Sequence, residues 1–195
     1  MGNKILKNYH LILASGSPRR QQFLRELNVD FEIRLNPIDE VYPSHLEGSD
    51  ISDYLAKAKA MPFSKDLKRN EILMTSDTVV WHHQKSLAKA KNEKEATHML
   101  KLLSGDWHEV ITSVCFTTTD TQIVVNQTTH VKFKMLSDQE IHFYIENFKP
   151  YDKAGAYGIQ EWIGLIGIEE IRGSYTNVVG LPTHLVYKTL LSLIG

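Results

Sequence analysis

The sequence has only one cysteine, Cys115, among its 195 residues. A single cysteine excludes an internal disulfide and a metal site built from several cysteines, and it is typical of a protein kept in a reducing compartment. No apolar run approaches the roughly 18 residues of a membrane-spanning helix, and residues 1–10 lack the apolar segment of a signal peptide. We therefore expect a cytoplasmic protein that does not bind membranes.

The chain also lacks an excess of charge of either sign. Its formal net charge is −1, with 22 Lys and Arg against 23 Asp and Glu, so we expect no broad basic surface and no polynucleotide partner. Any affinity for phosphate must be local, which favours a small-molecule partner. The length and the hydrophobic fraction of 42% predict a single domain spanning residues 1–195, in which two lobes can flank a central cleft.

Residues 10–20, HLILASGSPRR, predict a turn from a buried strand into a helix. Pro18 suits the first helical position, and Ser17 before it can cap the free amides of the first turn. A helix N-terminus attracts anions, and Arg19 and Arg20 add forked donors that fit phosphate oxygens. This pattern predicts a phosphate-binding turn, although strand, turn and helix also occur in this order without a ligand. The motifs GxxxxGK[ST] and GxGxxG are absent.

Two acidic residues are candidates for catalysis or metal binding. Asp77 interrupts the apolar strand predicted over residues 71–80; we expect it at a strand end or kink, because a buried carboxylate needs a cation or hydrogen-bond donors. Glu40 lies in a polar loop, where it is either a solubilising charge or a ligand for a hard cation. His82 and His83 follow the strand, but neighbouring strand residues face opposite sides, so we do not expect them to bind one metal.

The periodicity of the apolar residues and the capping residues predict the remaining elements. These are a strand over residues 31–35, a helix capped by Asp50, a helix capped by Asn92, a hairpin of residues 107–118 with residues 122–135, a helix opened by a Ser137–Glu140 capping box, and a last helix opened by Pro182. The glycines of residues 154–174 indicate either turns and close backbone approaches around a binding cleft or bends in a curved sheet.

Seven segments occur in the order found in the Maf family: LASGSPRR, the acidic residue Glu40, LAKAKA, SDTVV, LLSGDWHEVIT, DKAGAYGIQ and NVVGLP. The sequence resembles that family from Leu11 to Pro182, nearly its whole length. The resemblance implies an α/β fold, an elongated mixed twisted sheet flanked by helices and similar to that of inosine-triphosphate pyrophosphatases. It also implies a nucleoside triphosphate pyrophosphatase that needs a divalent cation, Mg²⁺ or Mn²⁺, and forms a homodimer.

The resemblance further implies which side chains bind the substrate phosphates. Ser17, Arg19 and Arg20 match the family's phosphate-binding motif. Lys59 matches the lysine of the KA motif, and Lys89 matches the lysine of a GKP motif. We expect these residues to hold the triphosphate.

Two acids match the positions that the family uses for its chemistry. Glu40 matches the loop acid and Asp77 the acid assigned as proton acceptor, and we expect both to hold the cation. A carboxylate is a weaker base than hydroxide, so Asp77 can accept the proton of the attacking water only if the cation acidifies that water or the proton transfer is late. The sequence departs from GKP at Ala88 and Ala90, and Glu161 stands where glycine usually follows GIQ.

Three positions separate branches of the family, as the resemblance implies. Arg19, Thr78 and Gln160 match the branch that uses dTTP and UTP, whereas the branch that uses 7-methyl-GTP has Trp, Gln and Glu there. A primary amide both donates and accepts hydrogen bonds, which suits the O4 and N3–H edge shared by thymine and uracil. Glu161 would alter this preference if its carboxylate faced the base.

Two other functions stay open at this point. A non-catalytic nucleotide-binding regulator, in keeping with the family's association with septum formation, would use the same phosphate-binding turn. Carboxylates in the site disfavour it, because they repel a polyanion unless they hold a metal. A phosphatase that removes the terminal phosphate would release orthophosphate instead of pyrophosphate.

Overall fold

The computed structural model describes Leu6 and residues 8–195. Most of the segment considered above for a signal peptide, residues 1–5 and 7, lies outside the described residues. Within them, seven strands form one mixed sheet that is flanked by helices, which confirms the expected α/β fold. None of the helices in this part of the chain combines the length and the apolar character needed to cross a membrane.

Helices and strands are interspersed along the chain. They are β1 (His10–Leu13), α1 (Pro18–Glu26), β2 (Phe31–Ile33), α2 (Ser49–Ala60), β3 (Glu71–His82), β4 (Lys85–Leu87), α3 (Glu93–Leu103), β5 (Trp107–Thr117), β6 (Gln122–Phe133), α4 (Asp138–Phe148), α5 (Trp162–Gly167), β7 (Ile168–Arg172), α6 (Tyr175–Val179) and α7 (Thr183–Ile194).

The sheet forks beside its central strand. The strands lie in the order β2-β1-β3-β5-β6-β7, with β1 parallel to β2 and β3 and the remaining pairs antiparallel. On one edge of β3, the pairing with β1 ends at Met74 and the pairing with β4 begins at Val80. Among the described strands, residues 75–79 therefore pair only with β5. Ligands of α/β proteins bind in crevices where neighbouring strands diverge in this way.

Asp77 lies in the middle of β3, so the prediction of a strand end or kink was wrong. The strand continues for 12 residues because β5 pairs with it across the polar stretch, with Asp77 opposite Ser113. The neighbouring polar side chains are also hydrogen-bonded: the Thr75 hydroxyl donates to the carbonyl oxygen of Ala56 in α2, with an O···O distance of 2.7 Å. The ladder and these bonds together allow polar residues inside a buried strand.

Both faces of the sheet are covered near β1, because alternate residues of a strand face opposite sides. Leu13 packs in one apolar cluster with Leu24 of α1 and with α7, while Ile12 packs in another with Ala56 of α2. A third cluster brings α3 and α4 onto the sheet around Val80. Because alternate residues of β3 face the same side, the position of Val80 along the strand places its side chain on the α1 side of the sheet. Two apolar clusters therefore lie on this face.

Three predicted helix starts are confirmed, at Ser17, Asn92 and Ser137. In each case the side-chain oxygen of that residue accepts a hydrogen bond from the amide three residues further on, which satisfies one free donor of the helix. The predicted cap at Asp50 was wrong. α2 begins at Ser49 after Gly48, whose φ of 49° suits glycine, and Asp50 lies in the first turn.

The glycine-rich segment, residues 154–174, contains α5 and the edge strand β7 in addition to turns. Gly164 of α5 allows the closest backbone approach in the segment: a Cβ built on it would lie 1.8 Å from the carbonyl oxygen of Ile159. The close backbone approach predicted for the glycines of this segment therefore occurs at Gly164.

Replacement of Gly164 by alanine is expected to destabilise the protein. The atom that the new Cβ would meet belongs to the backbone and cannot rotate away, so we expect the free energy of unfolding to fall by about 3 kcal/mol or more. Gly16→Ala is the matched control, because a Cβ there meets nothing within 4 Å. Urea unfolding followed by circular dichroism measures both variants, and a Gly164→Ala protein as stable as wild type would contradict the close approach.

Candidate active site

The fork in the sheet opens into a cleft of about 750 Å³. Its walls come from the turn after β1, the loop before α2, the middle of β3, the segment after β4 and residues 152–160. The cleft brings together all of the residues that the sequence nominated as site residues, although they are spread over most of the chain: Ser17, Arg19, Arg20, Glu40, Lys59, Asp77, Thr78, Lys89 and Gln160.

The turn between β1 and α1 presents backbone donors to this cleft. The Ser17 hydroxyl caps α1 by accepting from the Arg20 amide, and the Ser17 amide donates to Ser15 Oγ at 3.2 Å. In the described part of the chain, the amides of Gly16 and Arg19 make no hydrogen bond. Free amides at the N-terminus of a nine-residue helix form a suitable place for a phosphate group.

The Arg20 guanidinium donates to Ser15 Oγ in the turn at 3.4 Å and also binds the free edge of β3. Its Nη1 donates to the carbonyl oxygen of Ser76 at 2.9 Å, its Nη2 to Thr78 Oγ1 at 3.1 Å, and its Nε to the carbonyl oxygen of Gly180 at 2.9 Å. Burial lowers the pKa of the Arg20 guanidinium, and the nearby charge of Asp77 opposes that shift. Arg20 therefore joins α1, β3 and the segment before α7 at the floor of the cleft.

Arg19 points to the opening of the cleft instead. Its Nη1 donates to Asp152 Oδ2 at 3.2 Å, and 28% of its side chain is exposed. An exposed ion pair of this kind is weak. Arg19 therefore has more donors than Arg20 that a ligand in the cleft can recruit.

Two acids and two lysines form one alternating chain of charges across the cleft. Lys59 Nζ lies 2.6 Å from Asp77 Oδ1 and 2.8 Å from Glu40 Oε1, and Lys89 Nζ lies 2.8 Å from Glu40 Oε2. The side chain of Asp77 is only 9% exposed, whereas that of Lys89 is 53% exposed. This alternating series of charges therefore runs from the interior at Asp77 to solvent at Lys89.

Glu40 is held in its ionised form by this arrangement. Burial raises the pKa of its carboxyl, but the hydrogen bonds from Lys59 and Lys89 outweigh burial and bring it down to about 2. Both carboxylates reach the same ammonium group, so they converge on one point at which a cation is stable. Carboxylate oxygens are the preferred ligands of Mg²⁺ and Mn²⁺, and Glu40 and Asp77 therefore fit a divalent cation.

Lys89 is fixed despite the departures from the GKP motif at Ala88 and Ala90. Its backbone forms an antiparallel bridge with Ala154, and the Gly155 amide donates to the carbonyl oxygen of Leu87 at 2.9 Å. Ala90 is buried. The segment after β4 is thus held by residues 154–155 and not by a glycine and a proline of its own.

Glu161 does not line the cleft, although its neighbour Gln160 does. The carboxylate of Glu161 accepts a hydrogen bond from the Tyr144 hydroxyl and lies 3.0 Å from Lys153 Nζ through its other oxygen. Burial, followed by this hydrogen bond, raises the pKa of Tyr144. Glu161 is therefore directed toward α4, whereas Gln160, whose side chain is an uncharged amide, lines the cleft.

Sequence reasoning missed two residues that line the cleft, Asp152 and Lys153. Lys153 Nζ lies 2.7 Å from Asp152 Oδ1 and 3.0 Å from Glu161 Oε1, with only 10% of its side chain exposed. Asp152 in turn pairs with Arg19. Both residues belong to the DKAGAYGIQ segment, in which two adjacent charged residues precede Gln160. This charged pair was the sequence signal that could have identified them as cleft residues.

The expectation that His82 and His83 face apart was wrong. β3 ends at His82, and His83 and Gln84 have φ of 45° and 60°, so strand alternation stops between the two histidines. Both Nε2 atoms lie near Asp106 Oδ2, at 3.1 Å from His82 and 2.8 Å from His83. These three residues do not line the cleft.

Comparison with known families gives one match over most of the chain. The family described as Maf, Maf-like protein, matches residues 10–193. Curated relatives match the sequence over nearly their full length as well. A protein of Flavobacterium johnsoniae named dTTP/UTP pyrophosphatase is 56% identical over 97% of this chain and 97% of its own.

Two further relatives bear the same name. The protein of Christiangramia forsetii named dTTP/UTP pyrophosphatase is 54% identical over 100% of both chains, and that of Bacteroides fragilis is 43% identical over 96% of this chain and 98% of its own.

Among solved structures, a dITP/XTP pyrophosphatase from Mycobacterium abscessus superposes with a TM-score of 0.47 at 12% identity, covering 94% of this chain and 95% of that one.

Replacement of Arg20 by lysine is expected to destabilise the fold. A lysine cannot reproduce the forked bonds to Ser76, Thr78 and Gly180, and each carbonyl left without a donor costs free energy, so we expect a loss of about 2 kcal/mol or more. Arg19→Lys is the matched control, with an expected loss under about 0.5 kcal/mol. Urea unfolding without nucleotide measures both, and equal losses would contradict the different roles of the two arginines.

Proposed function

The chain belongs to the Maf family, and we propose that it is a pyrophosphatase that hydrolyses dTTP and UTP to the monophosphate and pyrophosphate. One observation carries the proposal: a single cleft at the fork of the sheet is lined by phosphate-binding donors, two carboxylates and an uncharged amide. Relatives at 43% to 56% identity that are named dTTP/UTP pyrophosphatase support it. The proposal includes a single Maf-like domain over residues 1–195, which the one sheet running through the described residues supports.

The turn after β1 is the proposed site of the triphosphate. The free amides of Gly16 and Arg19 and the guanidinium of Arg19 would bind phosphate oxygens, with Ser17 holding the turn in shape. Lys59 and Lys89 would add positive charge on the opposite side of the cleft. Arg20 contributes by fixing the edge of β3 and the position of Thr78 rather than through exposed donors.

The proposed metal ligands are Glu40 and Asp77. Their convergence on the ammonium group of Lys59 supports a shared cation at this point, with Mg²⁺ or Mn²⁺ as the candidates. A bound divalent cation supplies positive charge to phosphate oxygens and acidifies a coordinated water. Lys59 would then be free to pair with a phosphate oxygen.

The proposed reaction is hydrolysis at the α-phosphorus. The oxygen of a water molecule bonds to that phosphorus, the bond to the oxygen between the α- and β-phosphates breaks, and pyrophosphate leaves. Asp77 would orient the water and receive its proton. In the described residues, only Oδ1 of this carboxylate has a side-chain partner, which leaves Oδ2 for that role.

The proposed base preference depends on Gln160. Its amide lines the cleft and can meet the donor and acceptor edge shared by thymine and uracil. Because the Glu161 carboxylate is held by Tyr144 and Lys153, it does not place a negative charge beside the base. Thr78 is hydrogen-bonded to Arg20 and Thr112, so its contribution would be to keep this wall of the cleft uncharged.

Two further properties belong to the proposal. The expected compartment is the cytoplasm, where the single cysteine, free and buried in this fold, stays reduced. The expected assembly is a homodimer. Exposed apolar side chains on α4 and α5, Phe143 and Leu165 among them, support it, since such side chains are commonly covered by a partner.

A nucleotide-binding regulator without catalysis is the alternative that the site disfavours. Lys59 and Lys89 are already neutralised by Glu40 and Asp77, so the carboxylates weaken the attraction of the cleft for a polyanion. Acids in these positions are useful if they hold a cation and a water. The test is an assay of the products formed from dTTP with and without Mg²⁺: pyrophosphate supports the proposal, orthophosphate indicates a phosphatase, and no product indicates the regulator.

Replacement of Asp77 by asparagine is expected to abolish turnover without unfolding the protein. The substitution keeps the shape of the side chain and leaves Lys59 paired with Glu40, but it removes the charge that the cation and the water need. We expect kcat for dTTP to fall by about 100-fold or more. Release of pyrophosphate, measured with Mg²⁺ at saturating dTTP, gives this value.

Asp39→Asn is the matched control, because Asp39 is exposed, lies one residue from Glu40 and does not line the cleft. Its kcat is expected to stay within about twofold of wild type. An Asp77→Asn variant that retains more than about a tenth of the wild-type kcat would refute the assignment of an essential acid.

The base preference is expected to favour dTTP and UTP over 7-methyl-GTP. A site built to hydrogen-bond one base edge leaves its polar groups unpaired with another base, so we expect kcat/KM to differ by at least about tenfold. A panel of dTTP, UTP, CTP and 7-methyl-GTP measures the preference. Faster hydrolysis of 7-methyl-GTP would overturn the base preference and leave the pyrophosphatase proposal intact.

A further inference from the structure

His82, His83 and Asp106 form a compact group of side chains that does not line the cleft. One ligand atom from each can be chosen so that all lie within 4.8 Å of one another. The two imidazole rings have a centroid separation of 4.1 Å. Both rings direct Nε2 at the same carboxylate oxygen, Asp106 Oδ2.

The carboxylate of Asp106 is held in a fixed orientation. Its Oδ1 accepts a hydrogen bond from the Trp107 amide at 2.7 Å, which leaves Oδ2 facing the histidines. That bond, followed by the bond from His82, lowers the pKa of Asp106 to about 2. The group thus contains a carboxylate that is ionised at neutral pH and oriented by a second hydrogen bond, as metal-binding carboxylates commonly are.

The two histidines differ in how firmly they are held. His82 is the last residue of β3 and its side chain is 5% exposed, while His83 lies in the turn before β4 and its side chain is 75% exposed. The side chain of Asp106, between α3 and β5, is 42% exposed. One ligand is therefore anchored in the interior, and the other two leave the group open to an ion from solvent.

We propose that His82, His83 and Asp106 bind a divalent transition metal ion of the zinc type, at a second site distinct from the catalytic cation. Two imidazole nitrogens and one carboxylate oxygen form a donor set of Zn²⁺ sites with three protein ligands and an open fourth position. Imidazole nitrogen suits Zn²⁺, whereas Mg²⁺ prefers oxygen ligands throughout. The two sites of the protein thus select different metals through their ligand atoms.

A bound metal would connect the turn between β3 and β4 to the start of β5. In the structure the side chains of this turn reach Asp106 through hydrogen bonds to one oxygen, next to the β3–β5 ladder that ends at Trp81 and Glu109. The residues that follow β4 lead to Lys89 in the cleft. The expected effect of zinc is therefore greater stability of this hairpin, with no direct part in the chemistry at Asp77.

The test is a zinc titration of the full chain, freed of metal with a chelator and without nucleotide, against a chromophoric competitor. We expect wild type to bind one equivalent of Zn²⁺ that His83→Gln and Asp106→Asn lose or bind at least about tenfold more weakly. His98→Gln is the matched control, because His98 is an exposed histidine on α3 outside the group. Glu40→Gln is the second control, since it alters the catalytic site and is expected to keep this equivalent.

A second measurement identifies the ligand atoms. The nitrogen resonances of the His82 and His83 rings are expected to shift when one equivalent of Zn²⁺ is added, and those of His98 are expected to stay in place. His83→Gln, a change at an exposed turn, keeps the test valid if Asp106→Asn fails to fold. The proposal is overturned if wild type binds no stoichiometric Zn²⁺, or if His83→Gln binds it as tightly as His98→Gln does.

Discussion

Backbone groups along a strand edge need hydrogen-bond partners, and on one edge of β3 residues 75–79 have no strand to supply them. Arg20 meets this requirement at Ser76, and its other nitrogens reach Thr78 and Gly180. The cleft exists because β1 and β4 diverge at this point, and the cleft keeps its shape because a guanidinium closes the gap. Arg20, a charged residue next to the proposed phosphate-binding turn, thus uses most of its donors to join parts of the fold.

The position of Asp77 follows from the same fork. A carboxylate in the centre of a fully paired strand would be buried without a partner, but here the missing neighbour strand leaves space for Lys59 from α2 and for the loop that carries Glu40. The pairing of β3 with β5 remains unbroken along its other edge. The strand can therefore present a charged group to the cleft without losing its regular hydrogen bonds.

Much of the fold and most of the site residues could be predicted from the sequence. The caps at Ser17, Asn92 and Ser137 depend on local chemistry, and the sequence motifs named residues that the fold does bring into one cleft. The pairing of strands that are distant in the sequence could not be predicted from local patterns. Nothing local to residues 75–79 shows that pairing with β5 continues the strand through them, so the sequence alone predicts a strand end or a kink at Asp77.

Two other failures have the same physical origin. Strand alternation predicts the direction of a side chain only while the strand continues, and His83, with a φ of 45°, lies just beyond the end of β3. Asp152 and Lys153 were passed over because their importance comes from partners distant in the sequence, Arg19 for one and Glu161 for the other. Sequence patterns report local structure, and these contacts are set by tertiary packing.

The single ammonium group shared by Glu40 and Asp77 also has a thermodynamic consequence. A divalent cation that binds the two carboxylates has to displace Lys59, and the displaced lysine is then available to phosphate. A triphosphate that attracts Lys59 and Lys89 in turn leaves the carboxylates with unbalanced negative charge, which strengthens their hold on a cation. In the proposed function the nucleotide and the metal would therefore raise each other's affinity by the same factor, by reciprocity, and the cleft would hold both together more firmly than either one alone.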